Sequence, residues 1–247
     1  MNGMMRIAGL IVLLLANPAQ AVDIWWPKQG DEALYDLYAQ GTKVGTAKLT
    51  FSEKDGQLVA VLDNRVKFDL GSLAMVGRVV FREYWDGDTL MKMTSHGQAK
   101  VATESRRYSL SAERQPDNSF TFNSSYFGER TGGEYYMPAT FWHLTHILSP
   151  DIFDPFVGGF ANLEFENLGP QKIKADGGER ECLAFTLKTT FKDRDNIGEL
   201  PPGVNREDIP LSQTGKAWFD PDGLMCALLT QTPFGTLAME RRYRKTD

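Results

Sequence analysis

Histidine is scarce in this chain, and its scarcity limits the metal chemistry that the chain can carry. Only three histidines occur among 247 residues. His143 and His146 are three positions apart, so on a helix they would share a face. Zinc normally takes at least three protein ligands, and only Asp151 or Asp154 lie near enough in sequence to help. The pair is therefore a weak metal candidate, and two histidines at a helix edge are the plainer alternative.

Local catalytic motifs are also missing. The sequence contains no Gly-x-Ser-x-Gly elbow, no Ser-x-x-Lys and no glycine-rich phosphate loop. Carboxylates are plentiful, but no pair of them is distinguished by spacing or context. We therefore expect no cofactor and favour a protein without catalytic function. A metal-dependent hydrolase that uses His143 and His146 is the enzymatic alternative.

Long hydrophobic runs are absent except at the start of the chain. Arg6 precedes an apolar run over residues 7–16, and residues 17–21 end in small-x-small form. This is the pattern of a secretory signal peptide, and the run is shorter than the roughly 20 residues that cross a bilayer. We expect cleavage after Ala21 and a periplasmic or secreted protein that does not span the membrane, with residues 22–247 as a single β domain.

Positive charge is in the minority, with 27 Lys and Arg against 32 Asp and Glu and a net charge of −5. An acidic protein is a poor partner for nucleic acid, and it does not bind anionic membranes by net charge alone. An apolar pocket for a lipid remains compatible with this composition.

Cysteine is limited to two residues, Cys182 and Cys226. In an oxidising compartment the two would form a disulfide. The alternative is two buried thiols that pack as small hydrophobic side chains. Neither cysteine has a neighbouring histidine or helix start that would activate it, so we expect no catalytic thiol.

Helix signals are few, whereas alternating apolar and polar runs separated by turns are common. Asp-Gly pairs stand between such runs at 55–56, 86–87, 176–177 and 222–223. Asp-Gly is a strong hairpin signal because type I′ turns need positive φ at both central residues. The pattern predicts a mainly β protein: a curved antiparallel sheet or incomplete barrel with one short helix near 138–148. A long irregular loop is expected near 193–214, where Pro201 and Pro202 occur.

Aromatic residues are numerous on the predicted strands and helix. If a large sheet curls around the helix, its concave face is either filled or left partly open as an apolar pocket. We predict Trp85, Phe141, Trp142 and Trp218 as ligand-binding residues, because they lie at the helix and hairpins that would border an opening. The alternative is that these side chains form a dry core.

Four segments resemble a family of exported bacterial proteins that are known only as domains of unknown function. They are residues 34–46, 81–90, 141–143 and 217–224. A more distant resemblance is to periplasmic half-barrels such as the lipoprotein carriers, which wrap a curved antiparallel sheet around a helical lid. The resemblance implies the fold and supports the pocket, and it brings no catalytic residues.

Our hypothesis is therefore a non-catalytic periplasmic protein that binds an apolar ligand, such as a lipid or acyl chain, in the concave face of its sheet. The alternative outside ligand binding is an envelope scaffold that docks a partner protein through an exposed sheet edge.

Overall fold

The structure is a computed structural model, and it describes residues 26–69, 74–101, 104–125, 128–133, 136–155, 158–192, 211–232 and 235–246. The predicted signal peptide over residues 1–21 lies outside the described residues. The strands are β1 (Glu32–Ala39), β2 (Thr42–Lys54), β3 (Gln57–Asp69), β4 (Ala74–Asp86), β5 (Thr89–Val101), β6 (Glu104–Arg114), β7 (Phe120–Ser124), β8 (Gly128–Gly132), β9 (Met137–Pro138), β10 (Asp151–Phe153), β11 (Phe160–Ala175), β12 (Gly178–Phe191), β13 (Ser212–Phe219), β14 (Met225–Thr232) and β15 (Gly235–Lys245).

The 15 strands of the described residues belong to one sheet, and the first and last of them pair in its middle. β1 pairs with β15, with Leu37 opposite Met239. On one side of this pair the strand order runs from β1 to β8. On the other side it runs backwards from β15 to β9. Neighbours are antiparallel except β9 and β10. The predicted mainly β architecture, a curved open sheet with barrel-like form, is confirmed.

The four Asp-Gly pairs lie where the sequence predicts hairpins. Asp55 and Gly56 join β2 to β3 with φ of 53° and 79°, and Asp176 and Gly177 join β11 to β12 with φ of 51° and 76°. Positive φ at both positions is what a type I′ turn requires. The pairs at 86–87 and 222–223 lie at the ends of the β4–β5 and β13–β14 hairpins. These turns set the order of the meander.

Alternation along the strands separates an inner face from an outer face. Leu49, Leu62 and Phe81 are opposite one another in β2, β3 and β4, and all three are buried. We term their side of the sheet the inner face. The end at which β1 turns into β2 is the upper end, and the end of the β2–β3 and β4–β5 turns is the lower end.

The predicted helix over 138–148 is wrong in type and length. Residues 137–138 form β9, Phe141 has a positive φ of 50°, and only Leu144–Leu148 is helical, as a 3-10 turn. The backbone here bonds to other elements: Leu144 N donates to Gly223 O and Met225 N donates to Trp142 O. A regular helix would need those same groups, so tertiary pairing prevails over local periodicity.

Part of the predicted loop near 193–214 belongs to a strand, since β13 begins at Ser212, and residues 193–210 lie outside the described residues. Cys182 of β12 and Cys226 of β14 form a disulfide. None of the described residues forms a helix long and apolar enough to cross a membrane.

Candidate functional site

A buried glutamate, Glu83, lies on the inner face of β4 and contacts polar side chains of residues 140–146. Its Oε1 accepts a hydrogen bond from Thr140 Oγ1 at 2.6 Å. Its Oε2 accepts from Trp142 Nε1 at 2.7 Å and from Trp85 Nε1 at 3.1 Å. His146 Nε2 is 3.2 Å from the same oxygen. We term these five residues the Glu83 cluster, and Glu83 is only 1% exposed within it.

His146 connects the 3-10 turn to the buried carboxyl group. Its Nδ1 is 3.0 Å from the carbonyl oxygen of His143, which can only accept, so Nδ1 donates to it. Its Nε2 faces Glu83 Oε2 at 3.2 Å. Burial of a carboxyl group is tolerated when its oxygens are hydrogen-bonded, and both oxygens of Glu83 have partners here.

The two histidines that are weak metal candidates form separate hydrogen bonds. His143 Nδ1 accepts a hydrogen bond from the backbone of Thr145 and caps the 3-10 turn, whereas His146 binds Glu83. Both rings are fully buried. Within the described part of the chain, no group of three or more His, Cys, Asp or Glu side chains is placed to hold a metal ion. Both histidines pack in the core and form hydrogen bonds there.

Aromatic rings fill the inner face around the cluster. The ring centroids of Trp85 and Trp142 are 6.1 Å apart, and Phe51 packs edge-on against Trp142 at 5.2 Å. Trp26, which precedes β1, packs against both indoles, and its ring centroid is 5.3 Å from that of Trp85. Edge-to-face contacts at these distances are favourable arrangements for aromatic pairs. The lower part of the inner face is consequently a packed floor.

Three of the four predicted ligand-binding residues come together in this floor. Trp85 and Trp142 are at most 1% exposed, and Phe141 belongs to the same buried cluster. Trp218 lies elsewhere: it packs against the disulfide of Cys182 and Cys226 and donates a hydrogen bond of 3.0 Å to Gln171 Oε1. Its even position in β13 puts it on the face opposite Ala217 and Phe219, which point to the main core.

The upper part of the inner face is less closely covered. One row of the inner face holds four aliphatic side chains, from β14, β15, β1 and β3 in that order: Leu228, Met239, Leu37 and Val66. Gly45 of β2 lies between the last two. The four side chains are half-buried, unlike the floor beneath them. We term these four residues the upper row. It is a strip of aliphatic surface on the side of the sheet that curves inward.

Two buried polar atoms on the inner face have no partner among the described residues: Asn64 Oδ1 in β3 and Ser95 Oγ in β5. Asn64 is two residues from Val66 along β3, so it lies beside the upper row, whereas Ser95 is opposite the core residue Phe81, further down the sheet. Buried polar atoms are nearly always hydrogen-bonded to protein, water or ligand. Asn64 Oδ1 accordingly marks a place beside the upper row where a polar group is expected.

Sequence reasoning did not single out Glu83, Asn64 or Ser95. A signal for Glu83 exists, since Phe81, Glu83 and Trp85 alternate along β4 and a carboxylate thus falls on an apolar face. A charge in that position is rarely buried unless it is paired. Asn64 and Ser95 lack such a signal, because single neutral polar residues occur on either face of a strand.

At the lower end of the sheet, an ion-pair network connects residues from the second half of the chain. The Arg241 guanidinium donates to both carboxylate oxygens of Asp176 at 2.9 Å and to Asp220 Oδ2 at 2.7 Å. Burial alone lowers the pKa of Arg241, but the hydrogen bonds and charges of Asp176 and Asp220 outweigh it and raise the pKa. Tyr35 donates to Met225 O beside this network, and burial raises the pKa of its hydroxyl well above the usual range.

A single curved antiparallel sheet, open between β8 and β9 and packed around an inner aromatic floor, defines a β-barrel-like protein. The sequence places the chain more narrowly. It belongs to the family described as domain of unknown function DUF6134, whose model matches residues 35–197. The predicted resemblance to a family of unknown function is confirmed. No curated protein matches the chain.

One of three solved structures that match the chain shows the same kind of fold. A β-barrel-like protein from Brucella abortus, described as a domain of unknown function DUF1849, superposes with a TM-score of 0.58 at 11% identity, over 88% of this chain and 97% of that one. A candidate lipoprotein from Parabacteroides distasonis gives 0.38 at 10% identity, over 90% and 98%. A protein from Bacteroides fragilis with a YmcC-like fold gives 0.37 at 9% identity, over 90% and 99%. Only the first score is high enough to support a shared fold.

Proposed function

We propose that the chain is an exported binding protein without catalytic function, and that it holds a slender apolar ligand against the upper row. The signal-peptide pattern over residues 1–21 supports export. The observation that supports binding of an apolar ligand is the half-buried aliphatic strip above the packed floor. It consists of Leu228, Met239, Leu37 and Val66. An acyl chain laid on such a strip gains about 0.8 kcal/mol for each CH₂ group that it buries.

The unpartnered polar atoms indicate that the ligand also carries a polar group. Pockets of this kind combine apolar walls with a few polar groups that fix orientation. Asn64 Oδ1 accepts a hydrogen bond, and the hydroxyl of Ser95 either donates or accepts one. A lipid with a hydroxyl or protonated carboxyl at one end supplies the donor that Asn64 Oδ1, beside the upper row, lacks. The aromatic residues Trp85, Phe141 and Trp142 then lie beneath the ligand as packed support and do not touch it, and Trp218 has no part in the site.

Native mass spectrometry tests the proposal directly. The mature protein is expressed with its signal sequence and purified from the periplasm without detergent. We expect an additional mass of a few hundred daltons that organic extraction removes, and uptake of added palmitate by the extracted protein. An unliganded mass together with no uptake of palmitate would overturn the proposal.

A pair of variants assigns the site. Met239→Gln places an amide in the upper row and should abolish the additional mass, because burying an amide without a partner is costly. Leu168→Gln makes the same change at an exposed position of β11 and should retain it. Equal occupancy in the two folded variants would place the ligand elsewhere.

The open sheet edges favour a second candidate, a scaffold for partner proteins. β8 and β9 end the sheet, and each has a neighbour on only one side within the described residues. An edge strand can pair with an added strand of another protein. An unliganded mass accompanied by a stoichiometric co-purifying protein would favour this function over lipid binding.

A further inference from the structure

The outer face of the sheet carries an open groove of about 950 Å³ at the upper end of β2 to β5. Five basic residues and, among the described residues, no acidic one line it. The basic residues are Lys43, Arg65, Lys67, Arg78 and Lys100. The whole chain has a net charge of −5, so this surface differs in sign from the average of the molecule. We term it the outer groove.

Strand register explains why the charges are close together. Lys67 is opposite Val76, and Val76 is opposite Lys100, so the three form one row across β3, β4 and β5. In the next row, Arg65 is directly opposite Arg78. Directly opposed residues have Cβ atoms about 5 Å apart, and like charges so placed destabilise a sheet. The arrangement costs stability unless an anion is shared between the cations.

Asp63 supplies part of the negative charge that these cations need. Arg78 donates to both of its oxygens at 2.8 Å, and Arg65 Nη2 donates to Oδ2 at 3.1 Å. The hydrogen bonds from Arg78 hold the pKa of Asp63 below its ordinary value. One carboxylate between two guanidinium groups leaves a net positive charge and several N–H donors directed to solvent.

Within the described part of the chain, Lys67 and Lys100 show no such compensation. Neither forms an ion pair or hydrogen bond with any side chain that the structure describes. Between them Val76 is 54% exposed, an unusual exposure for an aliphatic side chain in a strand. An apolar contact flanked by two cations matches the boundary of a membrane, where acyl chains and phosphate groups are adjacent.

We propose that the outer groove binds the phosphate group of an anionic phospholipid at a membrane surface, with Lys67 and Lys100 on the phosphate and Val76 in contact with the acyl boundary. Arg65 and Arg78 provide further donors from the next row. The basic residues of this site lie on the face of the sheet opposite the upper row, and Gly45 and Val66 border both surfaces. The proposal does not depend on the apolar site being occupied.

Vesicle flotation at low ionic strength tests the proposal. The mature protein is mixed with vesicles of phosphatidylcholine alone or of phosphatidylcholine with phosphatidylglycerol. We expect it to float with the anionic vesicles only, and to be released as salt is added because the charges are then screened. Lys67→Gln with Lys100→Gln should weaken the partitioning roughly 30-fold, since each lysine near an anionic surface contributes about 1 kcal/mol.

The matched control is Lys172→Gln with Lys174→Gln, which removes two exposed lysines from β11, outside the groove. This variant should float as the unmodified protein does. Absence of flotation with anionic vesicles, or an equal loss in both double variants, overturns the proposal. Binding of inorganic phosphate without binding of vesicles also overturns it, because the groove would then serve a free phosphate. Circular dichroism confirms that the variants are folded.

Discussion

The Nε1 atom of Trp142 donates a 2.7 Å hydrogen bond to Oε2 of Glu83, across 59 residues of the chain. This bond connects two opposite parts of the sheet, since the backbone oxygen of Trp142 accepts from Met225 N in β14. The side chain of Trp142 thus binds one half of the sheet and its backbone binds the other. The Glu83 cluster therefore acts as a bridge through the interior and holds the curvature that the upper row depends on.

Replacing the carboxyl group of Glu83 should destabilise the protein strongly. In Glu83→Gln an amide NH₂ replaces an oxygen that accepts from Trp85 and Trp142, and we expect the free energy of unfolding to fall by about 3 kcal/mol. Urea denaturation followed by tryptophan fluorescence measures the change. Glu164→Gln is the control: Glu164 pairs with Lys188 at the surface, and its loss should cost less than about 0.5 kcal/mol. Equal losses would show that the cluster is not a structural bridge.

Trp142→Ala distinguishes a core residue from a binding residue. Because Trp142 is 1% exposed, its truncation should lower the free energy of unfolding by about 3–5 kcal/mol. Trp142→Phe retains a ring but loses the N–H donor and should cost about 1–2 kcal/mol. For the molecules that are folded, palmitate binding should be unchanged in Trp142→Phe. A stable variant with weakened binding would instead place Trp142 in direct contact with the ligand.

The disulfide should stabilise the second half of the sheet. Cys182 and Cys226 are separated by 44 residues, and closing a loop of that length contributes about 4 kcal/mol in the chain-entropy model. Cys182→Ala with Cys226→Ala should lower the midpoint of urea denaturation by a corresponding amount. Adding a reductant should lower the midpoint of the unmodified protein and leave that of the double variant as it was. A response of both proteins to reductant would mean that the effect is not due to this bond.

Tyr35 should make the protein less stable in alkali. Burial raises the pKa of its hydroxyl in the folded state above the value of about 10 expected for the unfolded chain. The native protein therefore keeps a proton that the unfolded chain releases, so this stabilisation is complete below about pH 10 and is lost as the pH rises further, by up to about 1.4 kcal/mol per pH unit.

In Tyr35→Phe the alkaline slope of stability should be reduced by that amount, and thermal unfolding as a function of pH measures it. Tyr243→Phe, at an exposed position of β15, should retain the full slope. An unchanged slope in Tyr35→Phe would assign the alkaline loss to other groups.

Hairpin connections could be predicted from the sequence because their causes are local. Asp55-Gly56 and Asp176-Gly177 adopt positive φ at both residues, as their side chains permit. Alternation of apolar residues along β4 likewise predicts a strand with one buried face, and the structure puts Phe81 and Trp85 on it. Neither inference needs knowledge of a distant part of the chain.

The segment with Phe141 and Trp142 shows where local reasoning ends. Its apolar spacing predicts a helix, yet Phe141 has positive φ, which is rare for a bulky residue and costs about 1–3 kcal/mol. The contacts of Thr140 and Trp142 with Glu83 offset this cost. Those contacts join positions 57 and 59 residues apart, and no pattern within the segment reports them.

The mainly β class of fold and the hairpins follow from the amino-acid sequence, because both depend on neighbours in the chain. The pairing of Cys182 with Cys226, which the sequence left open, is seen in the folded sheet. Which side of each strand is enclosed, and which long-range groups meet there, follows only from the folded sheet. It places Trp85 and Trp142 around Glu83, Trp218 beside the disulfide, and Lys67 and Lys100 on the two sides of Val76. Burial and strand register depend on the whole sheet, whereas propensity acts over only a few residues.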